Sequence, residues 1–446
     1  MTYQQALDYL ASLNTFGMRL GLSRIQRLAE ILGNPQDKYR TVHITGTNGK
    51  GSVSALTAAA LTASGLRTGL FTSPHLVTYN ERMRVDGADI SNEDFARVLT
   101  RTREAAERML AEGEESPTQF EVLTASAFLY FAEQKVDYAV VEVGLGGLLD
   151  STNIIMPVAT AITNVTLEHA DMCGGTLEGV AEHKAGIIKE NIPVVTAAQG
   201  MPLDVIRRTA REKQAPFYGM GEDFSIARCS QKLDGQTLSL NAFSLSLSDW
   251  RYGISLAAPY QAENSAVAAV LLAVLAKQDA RISMETARAA FLRTVWPGRF
   301  ERMDVGKQEI VVDGAHNPAG VKALRGALDA CYPDGTRVFL LGILHDKAID
   351  EMLDILLRPE DMVVVTQPDS ERAEAAAQLA GAVKKRALDV MVEPDRGRAL
   401  DLALSKAKGS LLCCTGSLYL IGDLRARIVA GKEAREHGGD GHAEQY

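Results

Sequence analysis

The chain has 446 residues, of which 46% are hydrophobic and 23% charged, and a formal net charge of −9. That length fits two or three domains of about 100–200 residues, each able to bury a sizeable core. The acidic balance argues against a nucleic-acid backbone as main partner, but local positive groups can still hold an anionic small ligand.

Five cysteines (Cys173, Cys229, Cys331, Cys413 and Cys414) give an odd count with no zinc-type spacing, so reduced thiols and a cytoplasmic location are expected. Asp8 falls early in an N-terminus without an unbroken apolar core, so no signal peptide is expected. The longest apolar run, 266–276, is alanine-rich and too short to span a bilayer; it reads as a buried helix.

In chain order, helices are expected at 3–13 and 23–32, a strand at 41–45, a helix at 53–63 and a strand at 68–72. Helices at 92–110 and 120–134 precede strands at 138–143 and 159–165; a helix at 176–188, a strand at 193–197 and a helix at 203–213 follow. This alternation predicts an α/β fold with a doubly wound, mostly parallel sheet. From 217 to 256 the pattern turns β-rich, with short strands at 223–228, 237–240 and 243–247 around an Asp234-Gly235 turn, predicting a small antiparallel insertion. A helix at 264–277 comes next. Trp296-Pro297-Gly298 then breaks the pattern before a second βα series with strands at 309–312, 337–341, 362–366 and 411–415. The expected domains are 1–296 and 297–432, with a disordered tail at 433–446.

Gly46-Thr47-Asn48-Gly49-Lys50-Gly51-Ser52 lies between the first expected strand and a helix. Glycines let backbone N–H groups converge on an anion, the helix start adds its dipole, Lys50 adds a point charge, and the Ser52 hydroxyl can reach Mg²⁺. The spacing departs from the standard P-loop: two residues separate the glycines, and Gly51 stands between Lys50 and Ser52. A glycine-rich turn without a ligand is the alternative, but the strand–loop–helix order favours a nucleoside triphosphate.

Other polar residues gather where strands end, the place where open parallel sheets bind ligands. Ser73-Pro74-His75 follows 68–72; Glu142 nears the end of 138–143; Glu168-His169 follows the strand starting at 159; and Asp313 to Pro318 follows 309–312. A carboxylate in an apolar strand is costly unless paired or metal-bound, which favours ligation for Glu142. His169 reads equally as a core histidine, and Mg²⁺ prefers oxygen. Ser73 reads as a turn residue as well, and Lys184, within 182–186, as part of a solvated helix face.

The segments HITGTNGKGS, TSPHL, NERMRV, FEVLTASAF, EVGLGG, LDSTN, HKAGII, PGRFE, DGAHNP, LHDK and TGSLYL together resemble the folylpolyglutamate synthase and dihydrofolate synthase family of the Mur ligase superfamily. The resemblance runs over nearly the whole chain. It implies ATP-dependent addition of L-glutamate to tetrahydrofolate or another folate, and of L-glutamate to dihydropteroate in two-activity members, through an acyl phosphate. ATP and Mg²⁺ are implied. A monomer is expected because nothing in the sequence demands an oligomer, and charge and apolar run length lead to no nucleic-acid or membrane partner. Thr47, Asn48, Gly49, Lys50, Gly51 and Ser52 match the phosphate cradle, and Asn264, Arg299 and Asp313 match nucleotide contacts. Ser52, Ser73, Glu142 and His169 match metal ligands. Lys184 matches the lysine carbamylated in this superfamily, and His316 a residue near the phosphates; Lys50, Lys184 and His316 form the implied catalytic set. Phe120, Glu121, Leu149, Asp150 and Ser151 are assigned to the folate pocket. The implied reaction requires the domains to close over ATP.

The chain departs from the family pattern at Leu148, where relatives commonly carry Arg, at Tyr260, where they carry His, and at Glu168-His169-Ala170. Leu148 and Ala170 bear on the dihydropteroate activity more than on ligation. A cell-wall amino-acid ligase of the same superfamily and a non-catalytic nucleotide-binding module remain alternatives. The first is disfavoured by the lack of a UDP-binding domain before Gly46, the second by the retained Lys50, Glu142, His169 and Lys184.

Overall fold

The computed structural model describes residues 1–13, 19–168, 170–387 and 389–438. The chain folds as two compact units. The first takes Met1–Gln231, Gln236–Ser255 and Gln261–Thr294; the second takes Val295–Tyr446 with two earlier segments, Lys232–Gly235 and Leu256–Tyr260. Those two segments fall inside the expected first domain.

The large sheet of the first unit runs in the order Ala88–Asp89, Met83–Val85, Thr68–Phe71, Tyr138–Glu142, Arg40–Thr45, Ala159–Ile162, Val194–Thr196 and Phe217–Gly219. Its six later members pair in parallel, while Met83–Val85 runs antiparallel to both of its neighbours. The parallel strands are buried almost throughout, as apolar runs covered on both faces should be. Alternation sorts the faces of the strand Tyr138–Glu142. Ala139 and Val141 pack in the cluster that includes Val122 and Phe128 of the helix Gln119–Glu133. Val140 and Glu142 therefore point to the opposite face, and the helix Lys50–Ala63 packs on this strand from there. The helix Gln261–Ala276 is apolar nearly all round and nearly all buried, packed against Lys50–Ala63 and the strands Ala159–Ile162 and Val194–Thr196.

The second unit has a six-stranded sheet in the order Glu301–Val305, Gln308–Val312, Leu411–Thr415, Arg337–Leu341, Met362–Val365 and Asp389–Val392. Only the first pair is antiparallel. Its core gathers Val311, Phe339, Val363 and Cys413 with Leu324, Leu353 and Leu379 from three helices.

Three expectations needed correction. The strand expected at 243–247 is a short 3-10 turn, Phe243–Leu245, and the third antiparallel strand is Leu247–Ile254; Ser246 at φ +59 turns the chain between them. The helix expected from 53 begins at Lys50, because Gly49 in the left-handed region brings the chain straight into its first turn. The helix Leu418–Gly438 covers the start of the tail expected to be disordered at 433–446; residues 439–446 lie outside the described residues. Among the described residues no helix is long and apolar enough to cross a membrane.

Leu271 is fully buried in the helix Gln261–Ala276. Leu271→Ala should cost about 2–5 kcal/mol of stability, read from the midpoint of chemical denaturation; a midpoint at the wild-type value would show that this helix does not carry the core of the first unit.

Candidate active site

The loop after the strand Arg40–Thr45 passes so close to its neighbours that at two positions a side chain would displace Thr163 or Asn264. Gly46 has φ +150, and a Cβ there would lie 1.8 Å from Thr163 Oγ1; Gly49 has φ +87, and a Cβ there would lie 2.2 Å from Asn264 Oδ1. The adjacent segment stitches the loop in place. Thr47 N–H donates to Asn164 O (2.8 Å) and Asn48 N–H to Asn164 Oδ1 (2.9 Å), while Thr163 Oγ1 donates to Asn48 O (2.6 Å). Thr166 N–H donates to Thr47 Oγ1 (3.0 Å). The helix Lys50–Ala63 starts from Gly49 without a side-chain cap. Its first N–H groups have no intrahelical acceptor and carry the positive end of the dipole, the arrangement an anion completes.

Two lysines converge on one carbonyl of this loop. Lys50 Nζ donates to Gly46 O (3.1 Å) and Thr47 O (3.0 Å), and Lys184 Nζ donates to Gly46 O (2.9 Å). Lys184 is only 6% exposed, so sequence reasoning alone misread it as belonging to a solvated face. Burial, followed by the nearby Lys50 charge, pulls its pKa down to about 7. Near neutral pH this amine is therefore shared between its charged and nucleophilic forms.

Glu142 is 5% exposed at the end of its strand, in register with Ile44 two residues before Gly46. Ser73 N–H donates to its Oε2 at 3.3 Å. Ser52, buried in the first turn of its helix, accepts from Gln261 Nε2 (3.2 Å); Gln261 Oε1 in turn accepts from Asn264 Nδ2 (2.9 Å). Ser52, Ser73 and Glu142 are hard oxygen donors, the class Mg²⁺ takes. Among the described residues no three His, Cys, Asp or Glu side chains gather as a metal cage. A Mg²⁺ ion that draws ligands from phosphates and water needs no such cage, so the donor set fits. His169 lies outside the described residues.

The residues assigned to the folate pocket divide. Leu149 is exposed, and Phe120 is half-buried where its ring leaves no room for a side chain at Gly144. Glu121 is buried as the third residue of a capping box, taking Thr118 N–H (2.7 Å), Thr118 Oγ1 (2.9 Å) and Arg24 Nε (3.2 Å). Asp150 is buried with Ser151 and ties the loop together. It accepts from Leu145 N–H (2.8 Å), Thr152 N–H (3.0 Å) and Thr152 Oγ1 (2.5 Å), and burial raises its pKa despite those bonds. Thr152 Oγ1 also meets His43 Nε2 at 2.8 Å. Because the hydroxyl proton goes to Asp150, His43 carries its proton on Nε2, and burial keeps the ring neutral, with its pKa down to about 3.

In the second unit, Asp313 is buried and accepts from Phe300 N–H (2.7 Å), Tyr260 OH (3.0 Å) and Ala315 N–H (2.9 Å). The carboxylate expected to face the nucleotide thus holds the backbone of Phe300, a non-glycine residue at φ +51. Burial raises the Asp313 pKa, and the Arg299 charge opposes that rise. Arg299 is half-buried against Gly314, where a Cβ would lie 2.6 Å from its Nη1. His316 Nδ1 pairs with Gly314 O at 2.8 Å, which places the proton on Nδ1.

Sequence reasoning missed Thr163, Asn164, Thr166 and Gln261. Thr163 and Asn164 were hidden inside a strand expected to run to 165, with Thr166 directly after it; the strand stops at Ile162, and the polar run Thr163-Asn164 begins there. Gln261 had a weak signal, a polar residue heading a long apolar helix.

Gly49→Ala should weaken ADP binding at least about 10-fold while leaving the melting temperature within a few degrees, because the added methyl meets Asn264 in a left-handed backbone. Titration calorimetry and a thermal melt read both; wild-type affinity would mean that the loop does not touch the nucleotide.

The sequence matches the Mur ligase middle domain over residues 44–272 and the Mur ligase glutamate ligase domain over 298–418. It is 34% identical over 429 residues to the dihydrofolate synthase/folylpolyglutamate synthase of Bacillus subtilis, covering 96% of this chain and 99% of that protein. Among solved structures, the folylpolyglutamate synthase of Thermotoga maritima superposes with a TM-score of 0.85 at 34% identity, over 97% of this chain and 98% of that one. Escherichia coli FolC in complex with DHPP and ADP gives 0.83 at 26% identity, over 96% and 98%. With both domains matched and relatives aligned from end to end, the chain belongs to the Mur ligase family, within its folylpolyglutamate and dihydrofolate synthase branch.

Proposed function

We propose that this chain is an ATP-dependent ligase that joins L-glutamate to a folate carboxylate through an acyl phosphate. The observation that carries the reading is the glycine loop, with Lys50 and Lys184 on one of its carbonyls and the buried Glu142 at the neighbouring strand end. Relatives named folylpolyglutamate synthase and dihydrofolate synthase support folate, dihydropteroate and glutamate as the substrate class.

A carboxylate is a poor electrophile and already negative, so it must be activated beside cations. In the proposed sequence a substrate carboxylate oxygen attacks the γ-phosphorus of ATP and ADP leaves. The glutamate amine then attacks the acyl carbon, loses a proton, and expels inorganic phosphate from a tetrahedral intermediate. The N–H groups from Thr47 to Ser52 cradle the phosphates, and Lys50 leaves its loop carbonyls to neutralise the charge spreading over the transferred group. Ser52, Ser73 and Glu142 would hold Mg²⁺, which when bound screens the charge on the phosphate oxygens; His169 completes that set in the family resemblance. Asn264 faces the nucleotide from beside Gly49. The family resemblance gives Arg299 and His316 of the second unit roles toward the nucleotide; within that unit Asp313 holds the loop at Phe300 beside them.

Lys184 is assigned as the carbamylated lysine. The ammonium first gives up one proton; the neutral amine then attacks CO₂ and releases a second, so that overall a local charge of about +1 becomes −1. The depressed pKa supports this, since the reactive neutral form becomes the majority above about pH 7. Lys184→Ala should lose most turnover and keep ATP binding. In the wild type, the part of the turnover restored by bicarbonate after CO₂ depletion should grow as pH rises from about 6 to 8. Turnover of Lys184→Ala at the wild-type level would remove this residue from the mechanism.

Dihydropteroate is a second acceptor favoured by the relatives' names. Mass spectrometry of products from tetrahydrofolate and dihydropteroate, offered separately with ATP and glutamate, tests both. Phosphate release should require acceptor and glutamate together, with one glutamyl unit gained. Phosphate release without either, or consumption of a UDP-linked substrate alone, would overturn the folate reading.

A further inference from the structure

Gln261 is fully buried at the first position of the helix Gln261–Ala276, and its amide is used at both ends. Nε2 donates to Ser52 Oγ at 3.2 Å, and Oε1 accepts from Asn264 Nδ2 at 2.9 Å. An amide has distinct donor and acceptor ends, so one bond fixes the other. With Asn264 Nδ2 committed to Gln261, Asn264 turns its Oδ1 toward the loop, the atom that a Cβ on Gly49 would meet at 2.2 Å. With Gln261 donating to one lone pair of Ser52 Oγ, the other lone pair stays open and the hydroxyl proton must point elsewhere. One side chain thereby sets the direction of two groups that the functional reading gives to the metal and the nucleotide.

We infer that Gln261 is a positioning residue for the magnesium–nucleotide site: it aims the Ser52 hydroxyl at the cation and orients the Asn264 amide. The inference rests on the proposed nucleotide role of the loop. A Gln261 that merely filled space would be replaceable by an apolar side chain of the same length without changing how Mg²⁺ affects binding. A Gln261 that orients Ser52 would not, because partners that orient a metal ligand typically contribute about 10–100-fold in metal affinity.

The test measures ADP affinity by titration calorimetry with and without Mg²⁺ for the full chain, Gln261→Met, Ser52→Ala and the double variant. In Gln261→Met the gain in ADP affinity on adding Mg²⁺ should shrink about 10-fold. In the Ser52→Ala background Gln261→Met should shrink that gain no further, since its target is gone. A Mg²⁺ gain equal to wild type in Gln261→Met, or two losses that simply multiply in the double variant, would overturn the inference. If Gln261→Met does not fold by circular dichroism, Gln261→Asn, polar but too short to span both partners, carries the same expectations. A wild-type chain that binds no ADP would instead overturn the nucleotide reading itself.

Discussion

Everything in the first unit leads to one carbonyl. Gly46 O accepts from both Lys50 and Lys184, and Gly46 lies so close to Thr163 that a side chain there would displace it. Lys50 brings a positive charge to that acceptor, and Lys184, with its pKa down to about 7, stands beside it partly as the neutral amine. The acceptor belongs to a loop tied down on both sides: Asn164 and Thr163 hold its backbone on one, and Asn264 lies against the other. The Lys50 charge is therefore at the loop before any ligand arrives, and binding a triphosphate does not have to assemble it.

The same economy of position explains the buried polar residues. Glu142, Ser52, Gln261, Asn264 and Lys184 are all nearly inaccessible in a region otherwise built from Ala, Val and Leu. Each buried polar group carries a desolvation cost that only specific partners offset. Gln261 pairs with Ser52 and Asn264, Lys184 with the loop carbonyl of Gly46, and Glu142 with the N–H of Ser73 at the next strand end, so the network is set by the parallel sheet. Alternation puts Glu142 on the face covered by the helix that carries Ser52, and the helix Gln261–Ala276 packs against that helix. The second unit repeats the device: Asp313 spends its carboxylate on backbone N–H groups and Tyr260, fixing the loop that carries Arg299.

Much of this was legible in the residues, and the limits have physical causes. The parallel strands 41–45, 68–72, 138–143 and 337–341 announced themselves as short apolar runs, and the observed strands start and stop within about two residues of them. The edge hairpin Met83–Val85 with Ala88–Asp89 escaped notice although its Asp86-Gly87 turn, both residues at positive φ, is a strong hairpin signal. Lys184 is the instructive case. A lysine between His183 and Ala185 looks solvated, and only the tertiary approach of its helix to Gly46 buries it. Asp313 shows the converse: a motif match located it, while its bonds to Phe300 and Tyr260 gave it a backbone-holding position that no local pattern could reveal; for Glu121 the Thr118-to-Glu121 spacing of a capping box was a local signal that went unused.

The loop's proposed task is to present a triphosphate to a carboxylate. An acceptor labelled with ¹⁸O in its reacting carboxyl group, incubated with ATP and L-glutamate, tests that directly by mass spectrometry of the released phosphate. Activation through an acyl phosphate predicts one ¹⁸O atom in each phosphate and its loss from the new amide. Unlabelled phosphate alongside a normally formed glutamyl product would contradict it.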